Sequence, residues 1–591
     1  MKKPLAAIVM LVVLCLCAPM SHAQKLLATN LPGEPALAVS MTDLNQTYST
    51  WSQTSTYAAI KNLMDMPFVK DSEELQEVLL RQEEVRVELG FPVTAESITQ
   101  IVGGVTLGVY APPSQNAPTD TLLPAEPEIV VVLEIKDAAK FASILKYVEG
   151  KLAEQAENSG GQLKKEAVGG REITMAADPG MMEPKFAFGM VADTTFAVGT
   201  VNKVKEMVAF LKNGGEGLAQ SKDFKASAGP LASQAVDAIL YLDQQKFNAM
   251  NPAFGGGNPF AGVPLIEESQ KIKIAMAMRV MKDRIEVDMN QPFHNIQGTP
   301  LLSMIRKYPP SQITASKYVP QGTMLAGWGN SFDGELTYEV MDGVYKSLAP
   351  MMGGGQGTAS LGDLLAPYEM QIGFTVKDDL CGGHGPELFF NWANLEGTVA
   401  DVIIGLQVND ATKAEKVVNG LTKWINDFGK MMAGAQMGGQ APADVPDIVA
   451  ASEYKGVKIH QLSHPMLLMQ GYQPSICTNG EFLIISSTVG SLKAALDCAK
   501  EGGQTALQDP AFAKASAYLP ATTNQIMVGN AGKIVDVIHN LIKQQMSGPE
   551  NADELAELDA VMNVFKTLDI MAANTTSGED GSRSKMALFL K

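Results

Sequence analysis

The sequence predicts an α+β fold made of two homologous repeats, each a mainly antiparallel sheet with helices packed on one face. Three observations carry this reading. A strand–helix segment occurs twice, hairpin signals join consecutive strands, and amphipathic helical stripes fall between the strand runs. The segment EIVVVLEIKDAAKFASILKYV, from Glu128, sets beside DVIIGLQVNDATKAEKVVNGL, from Asp401, and places Asp137 on Asp410. In the strands, Ile129, Val131, Leu133 and Ile135 fall on Val402, Ile404, Leu406 and Val408, the alternation that buries one sheet face. In the helices, Phe141, Ile144, Leu145, Val148 and Leu152 fall on Ala414, Val417, Val418, Leu421 and Ile425, one helical stripe. Each helix opens at an Asp suited to its N-cap.

The match resumes at FAFGMVADTTFAVGT (186–200) against QPSICTNGEFLIISS (473–487), with Phe196 on Phe482. The turns are Asp193-Thr194 and Asn479-Gly480, and Asn-Gly is a strong hairpin signal. A helix follows in each copy. Val204, Met207, Val208 and Leu211 match Leu492, Ala495, Leu496 and Ala499, and Gly214-Gly215 and Gly502-Gly503 are helix stops. Next come KDFKASAGPL and DPAFAKASAYL, with Phe224 on Phe512.

Each copy opens with a strand (35–41; 322–328) and helices (43–66; 332–349). In the first copy a further helix is expected over 71–89, capped by Asp71. A closing hairpin spans 271–290, and its counterpart runs from Ile570 to the end of the chain. The expected organisation is a signal peptide at 1–23, a first repeat at 24–292, a linker at 293–320 containing Pro309-Pro310, and a second repeat at 321–591.

The string CGGHG (381–385) has the look of a nucleophile with its base. The repeat gives it another meaning. Gly382-Gly383 falls on Gly103-Gly104, Cys381 on Val102 and His384 on Val105, so the string is a double-glycine turn into a strand. Cys477 falls on Val191 and Cys498 on Phe210. All three cysteines therefore replace apolar residues of the sister copy, as buried free thiols do. A Cys477–Cys498 disulfide is the alternative.

Lys2, Lys3, the apolar run Leu5–Cys17 and Ser21-His22-Ala23 make a secretory signal, with cleavage expected after Ala23. Leu14 and Leu16 precede Cys15 and Cys17, where a lipid-attachment site requires a small residue. No later segment has the unbroken apolar length of a membrane span. The formal net charge of -18 argues against nucleic acid as a partner.

The order of elements resembles that of exported bacterial proteins known only as domains of unknown function. The resemblance rests on the early Asp43, the long amphipathic helix, the VADTTFAVGT hairpin and the KDFKAS loop, and it spans most of the chain after the signal. It implies an exported α+β protein and carries no activity.

His460 and His464 lie on an expected strand and loop, without the helical spacing of a zinc pair. His539 sits on a helix beside Ile534, Val535, Ile538 and Leu541. His294 has no nameable partner. Nucleophile-elbow, zincin, Walker and dinucleotide motifs are missing, and no cofactor or metal is expected. The unusual feature is a set of Gly-rich loops bearing Phe and Met: Phe254 and Phe260 in 250–265, Met351 and Met352 in 351–357, and Met431 and Met432 in 431–442. Such residues mould to apolar surfaces. The function expected is that of an exported, non-catalytic cell-envelope protein acting in binding or as a scaffold, its partner an unknown protein or apolar ligand. The alternatives are a periplasmic carrier of a lipid or other apolar ligand, and a hydrolase of unrecognised type.

Overall fold

The computed structural model describes residues 31–112, 126–176, 184–232, 236–250, 264–348, 360–393, 401–436, 446–500, 503–546, 548 and 552–591. The signal segment 1–23 and Phe254, Phe260, Met351 and Met352 lie outside these residues.

The first half contributes ten strands: β1 (Leu37–Thr42), β2 (Val102–Tyr110), β3 (Glu128–Ile135), β4 (Leu163–Val168), β5 (Arg171–Ala176), β6 (Phe186–Ala192), β7 (Thr195–Thr200), β8 (Ala238–Asp243), β9 (Lys273–Val280) and β10 (Arg284–Pro292). The second contributes β11 (Leu325–Gly329), β12 (His384–Ala393), β13 (Asp401–Val408), β14 (Val449–Tyr454), β15 (Val457–Leu462), β16 (Ser475–Thr478), β17 (Phe482–Ser486), β18 (Gln525–Asn530), β19 (Leu568–Ser577) and β20 (Gly581–Leu590). Every pairing between them is antiparallel. Across the first half the order is β4-β5-β6-β7-β3-β2-β1-β8-β9-β10. β10 then pairs with β20 from Arg284↔Phe589 to Pro292↔Gly581. The order continues β20-β19-β18-β11-β12-β13-β17-β16-β15-β14. The described strands thus form one sheet that reads alike from either edge to its centre.

Helices cover both faces of this sheet, which corrects the expectation of one face. Along β3 the alternate residues part company. Val130 and Val132 pack with Val204, Met207 and Val208 of the Val201–Asn213 helix and with Phe224 of the Lys222–Ala232 helix. Val131, Leu133 and Ile135 pack on the opposite face with Ile98 and Ile101 of the Ala95–Ile101 helix and Phe141 of the Ala138–Ser159 helix. Both sets along one strand are apolar because both are covered, a pattern usual for sheets sandwiched between helix layers. In the second half, Ile403, Phe389, Phe482 and Ile484 pack with Leu492, Leu496 and Phe512. On the other face Leu483 meets Val417 and Val418 of the Ala411–Gln436 helix.

Local signals explain the helix starts. Asp137 accepts the Lys140 amide at 3.0 Å and Asp410 accepts the Lys413 amide at 3.2 Å, as N-caps. The Glu73–Leu89 helix is capped by Ser72, which accepts from Leu75, one residue later than the expected Asp71. Residues 293–320 carry buried Phe293, Ile296 and Leu302 around the Pro300–Lys307 helix. They also supply Tyr318, whose ring stacks on Phe389 at 5.5 Å.

Charge reinforces the seam between halves. Glu286 and Asp288 of β10 are buried, and Arg279 binds them at 3.0 and 2.6 Å. Arg284 adds 2.7 Å to Glu286, and Tyr518 from the second half donates its hydroxyl to the same carboxylate. Burial disfavours the Glu286 charge, but Tyr518, Arg284 and Arg279 outweigh it and hold the carboxyl below the usual range. A carboxyl depressed by folding stabilises the native state above its unfolded value and loses that contribution as the pH falls through its folded value. Glu286→Gln is therefore expected to cost about 2 kcal/mol at pH 7. In urea titrations from pH 7 down to pH 3, the gap from wild type should close below about pH 4.

Candidate functional site

The CGGHG segment is built as a turn. A π-type turn at Val376–Cys381 leads through Gly382 and Gly383 into β12 at His384. Neither glycine has room for a side chain: a Cβ on Gly383 would stand 2.3 Å from the Asp379 carbonyl oxygen. The His384 imidazole is buried, with Nδ1 against the Leu380 carbonyl, and burial holds its pKa below the ordinary value. Cys381, Cys477 and Cys498 are all free and buried, so no Cys477–Cys498 disulfide forms. Burial raises each thiol, Cys477 to about 12 and Cys498 to about 11. Cys498 lies against the Val319 and Gln504 carbonyls.

Three histidines pair with side chains, while the buried His384 Nε2 meets no partner among the described residues. His460 contacts the Thr422 hydroxyl at 3.2 Å, and His539 contacts Asp559 at 2.6 Å beside Lys543. His294 has the partner that the sequence did not disclose, Asp223 at 2.7 Å. Among the described residues no cluster of three His, Cys, Asp or Glu side chains could hold a metal. A cleft of about 620 Å³ near β4 and β6 has charged walls, but Lys185 pairs with Glu126 at 3.1 Å and Lys205 with Glu166 at 2.8 Å.

A site with shape and open surface lies on the sheet face opposite the Phe389–Phe482 core. Three cross-strand rows form its floor over β12, β11, β18, β19 and β20. One row is Leu388, Gly329, Gln525, Thr575 and Ser584; the next is Phe390, Gly327, Met527, Ala573 and Met586; the third is Trp392, Leu325, Gly529, Met571 and Leu588. The first two rows, from Leu388 and Phe390 as far as Thr575 and Ala573, hold a groove of about 340 Å³. Gly327 and Gly329 contribute no side chain to its floor, and the Phe390 ring lies over Gly327. A Cβ on Gly327 would come within 2.3 Å of the Phe390 ring, and one on Gly329 within 2.9 Å of the Asn524 carbonyl.

In the first half, the strands at the same place in the order carry Val105, Met41, Ala238 and Met278 in one row and Leu107, Val39, Leu240 and Met276 in the next. There the floor is filled and Met41 is buried in the core with Val131 and Phe141. The second half has glycine opposite Met41 and Val39, and alanine opposite Met276. Its covering differs as well. Ile404 is 46% exposed and Ile485 44%, whereas Val131 is 8% exposed.

The sequence reading missed this site. Its trace was the alternation of Gly327 and Gly329 in LAGWGN, which strips one face of a strand of side chains. Met431 and Met432, expected in a loop, stand exposed on the last turns of the Ala411–Gln436 helix, where Trp424 and Phe428 stack at 6.0 Å. Beyond them the short Pro465–Met469 helix exposes Met466, Leu468 and Met469. No described helix is long and apolar enough to cross a membrane.

No family model and no curated protein matches the chain. One solved structure, described as crystal form I of TP0453, is similar at 8% identity over 46% of this chain and 81% of that one. Its TM-score of 0.22 carries no argument about fold or function.

The burial of the three thiols has a direct readout. In native protein at pH 8, Cys381, Cys477 and Cys498 should react with an aromatic disulfide reagent at least about 100-fold more slowly than in urea-unfolded protein. Fast reaction of any one in the native state contradicts their placement in the core.

Proposed function

We propose that this is an exported, non-catalytic binding protein of the cell envelope, built by duplication of one α+β unit, whose second unit holds an apolar ligand in the groove over Gly327 and Gly329. The signal-like start of the sequence supports export. The sequence correspondences, together with a strand order that runs alike in both halves, support duplication. The observation that carries the binding reading is the hollowed floor. Two glycines and an alanine stand where the other half has Val39, Met41 and Met276, and Leu388, Phe390 and Met527 line the space. A groove of about 340 Å³ falls at the small end of the range for small-molecule sites. Methionine and phenylalanine walls suit a flexible hydrocarbon, since the thioether adapts its shape at low cost.

The scaffold reading draws on a different feature, the exposed Trp424, Phe428, Met466 and Met469 at the far end of the second half, which suit a protein partner. The hydrolase reading has less support, because the buried carboxylates Glu286 and Asp288 are already held by Arg279 and Arg284.

The experiment fills the groove. Ala573→Phe places a ring on the floor without a change of backbone. Wild-type protein should enhance the fluorescence of N-phenyl-1-naphthylamine, and the variant should bind it at least about 10-fold more weakly while melting within a few degrees of wild type. Equal uptake by a folded variant would sink the reading. Solvent extraction of the native protein followed by mass spectrometry should recover a hydrocarbon-bearing molecule.

A further inference from the structure

The groove is graded along the strands. Its apolar row, Phe390, Met527 and Ala573, offers hydrocarbon contact only. The row two residues away, about 7 Å along the strands, offers Gln525 and Thr575, with Ser331 at the lip and Ser584 beside Thr575 on the next strand. These polar groups form two neutral pairs: the Gln525 amide donates to the Ser331 hydroxyl at 2.9 Å, and the Thr575 and Ser584 hydroxyls lie 2.9 Å apart. Each pair keeps spare capacity, because a hydroxyl both donates and accepts and a carboxamide oxygen has two lone pairs. The same places in the first half are Ala238 and Met278, so the polar row belongs to the hollowed half.

Charge decides the class of ligand. Among the described residues lining the groove, none is charged. Lys307 stands nearby, but Asp333 binds it at 2.6 Å and also accepts from the Tyr308 hydroxyl at 3.0 Å. A carboxylate or phosphate brought to this lip would be desolvated with no cation to meet it, which is costly; a hydroxyl or amide needs only a neutral partner.

We propose that the groove takes an uncharged amphiphile, a hydroxyl-bearing head on a single hydrocarbon chain. The head sits at Ser331, Gln525 and Thr575, and the chain lies over Phe390, Met527 and Ala573. This rests on the apolar-groove reading above and adds the chemistry of the head.

The test uses full-length protein stripped of bound lipid, with N-phenyl-1-naphthylamine as the displaced probe. Below their aggregation limits, 1-monododecanoylglycerol should displace the probe at about 10-fold lower concentration than dodecanoate at pH 8. Gln525→Leu combined with Thr575→Val should reduce that preference to less than about 3-fold, and Thr575→Val alone should shrink it part of the way. Equal or stronger displacement by dodecanoate, with probe binding still abolished by Ala573→Phe, overturns the head-group assignment and leaves the groove standing. An undiminished preference in the Gln525 and Thr575 variants also overturns it, since the head would then be read elsewhere. Probe binding that survives Ala573→Phe defeats the groove reading and this proposal together.

Discussion

The antiparallel pairing of β10 with β20 is the constraint on which the rest of the molecule depends. Each strand closes its own half, and each would otherwise present a row of free amide and carbonyl groups. Pairing them satisfies both edges and fuses two ten-strand runs into one sheet. Arg279, Glu286, Asp288 and Tyr518 add directional bonds at that junction, and the Thr56 and Thr567 hydroxyls meet at 2.8 Å across the halves. Register follows from this. Fixing Arg284 opposite Phe589 decides which side chains of β19 and β20 face the groove and which face the core.

With the sheet continuous, the floors of the two halves lie side by side, and one is filled where the other is open. The first half spends its floor on stability: Val39, Met41 and Leu107 join the helices above them. The second half keeps its opposite core, with Tyr318, Phe389 and Phe482 in mutual contact, and leaves the other face partly open. One face thus carries the larger core of that half, while Phe374, Val417, Val418 and Leu483 cover part of the other. Burial of the aromatic cluster, worth about 1.5 to 3 kcal/mol per large side chain, lets Ile404 and Ile485 remain exposed.

Legibility in the sequence followed the range of the interactions. Asp137 and Asp410 as caps, Asn479-Gly480 as a hairpin turn, and the thiols as core-fillers are set by neighbours a few residues away or show as apolar residues at the matching place in the other half, and these could be read. The one-face assignment of the helices was not legible. Alternating apolar residues in β3 reveal that one face is buried, while Val130 and Val132 between them could equally have met solvent or a second layer. Met431 and Met432 were misplaced because Gly434, Gly438 and Gly439 in 431–442 suggested a loop. The helix continues through them because its face packs on the sheet edge, where Asn426 accepts the Val449 amide at 2.8 Å.

By itself the sequence determined the α+β composition, the caps and turns, the strand and helix order, and the apolar environment of Cys381, Cys477 and Cys498. Those properties depend on local backbone preference and on side-chain periodicity, which are written along the chain. Only the tertiary structure decided that the halves share one sheet and that Gly327 lies beside Phe390, Met527 and, one strand further, Ala573. Those residues are separated by up to a few hundred positions, and their meeting depends on strand register, a cooperative outcome of packing that periodicity does not encode.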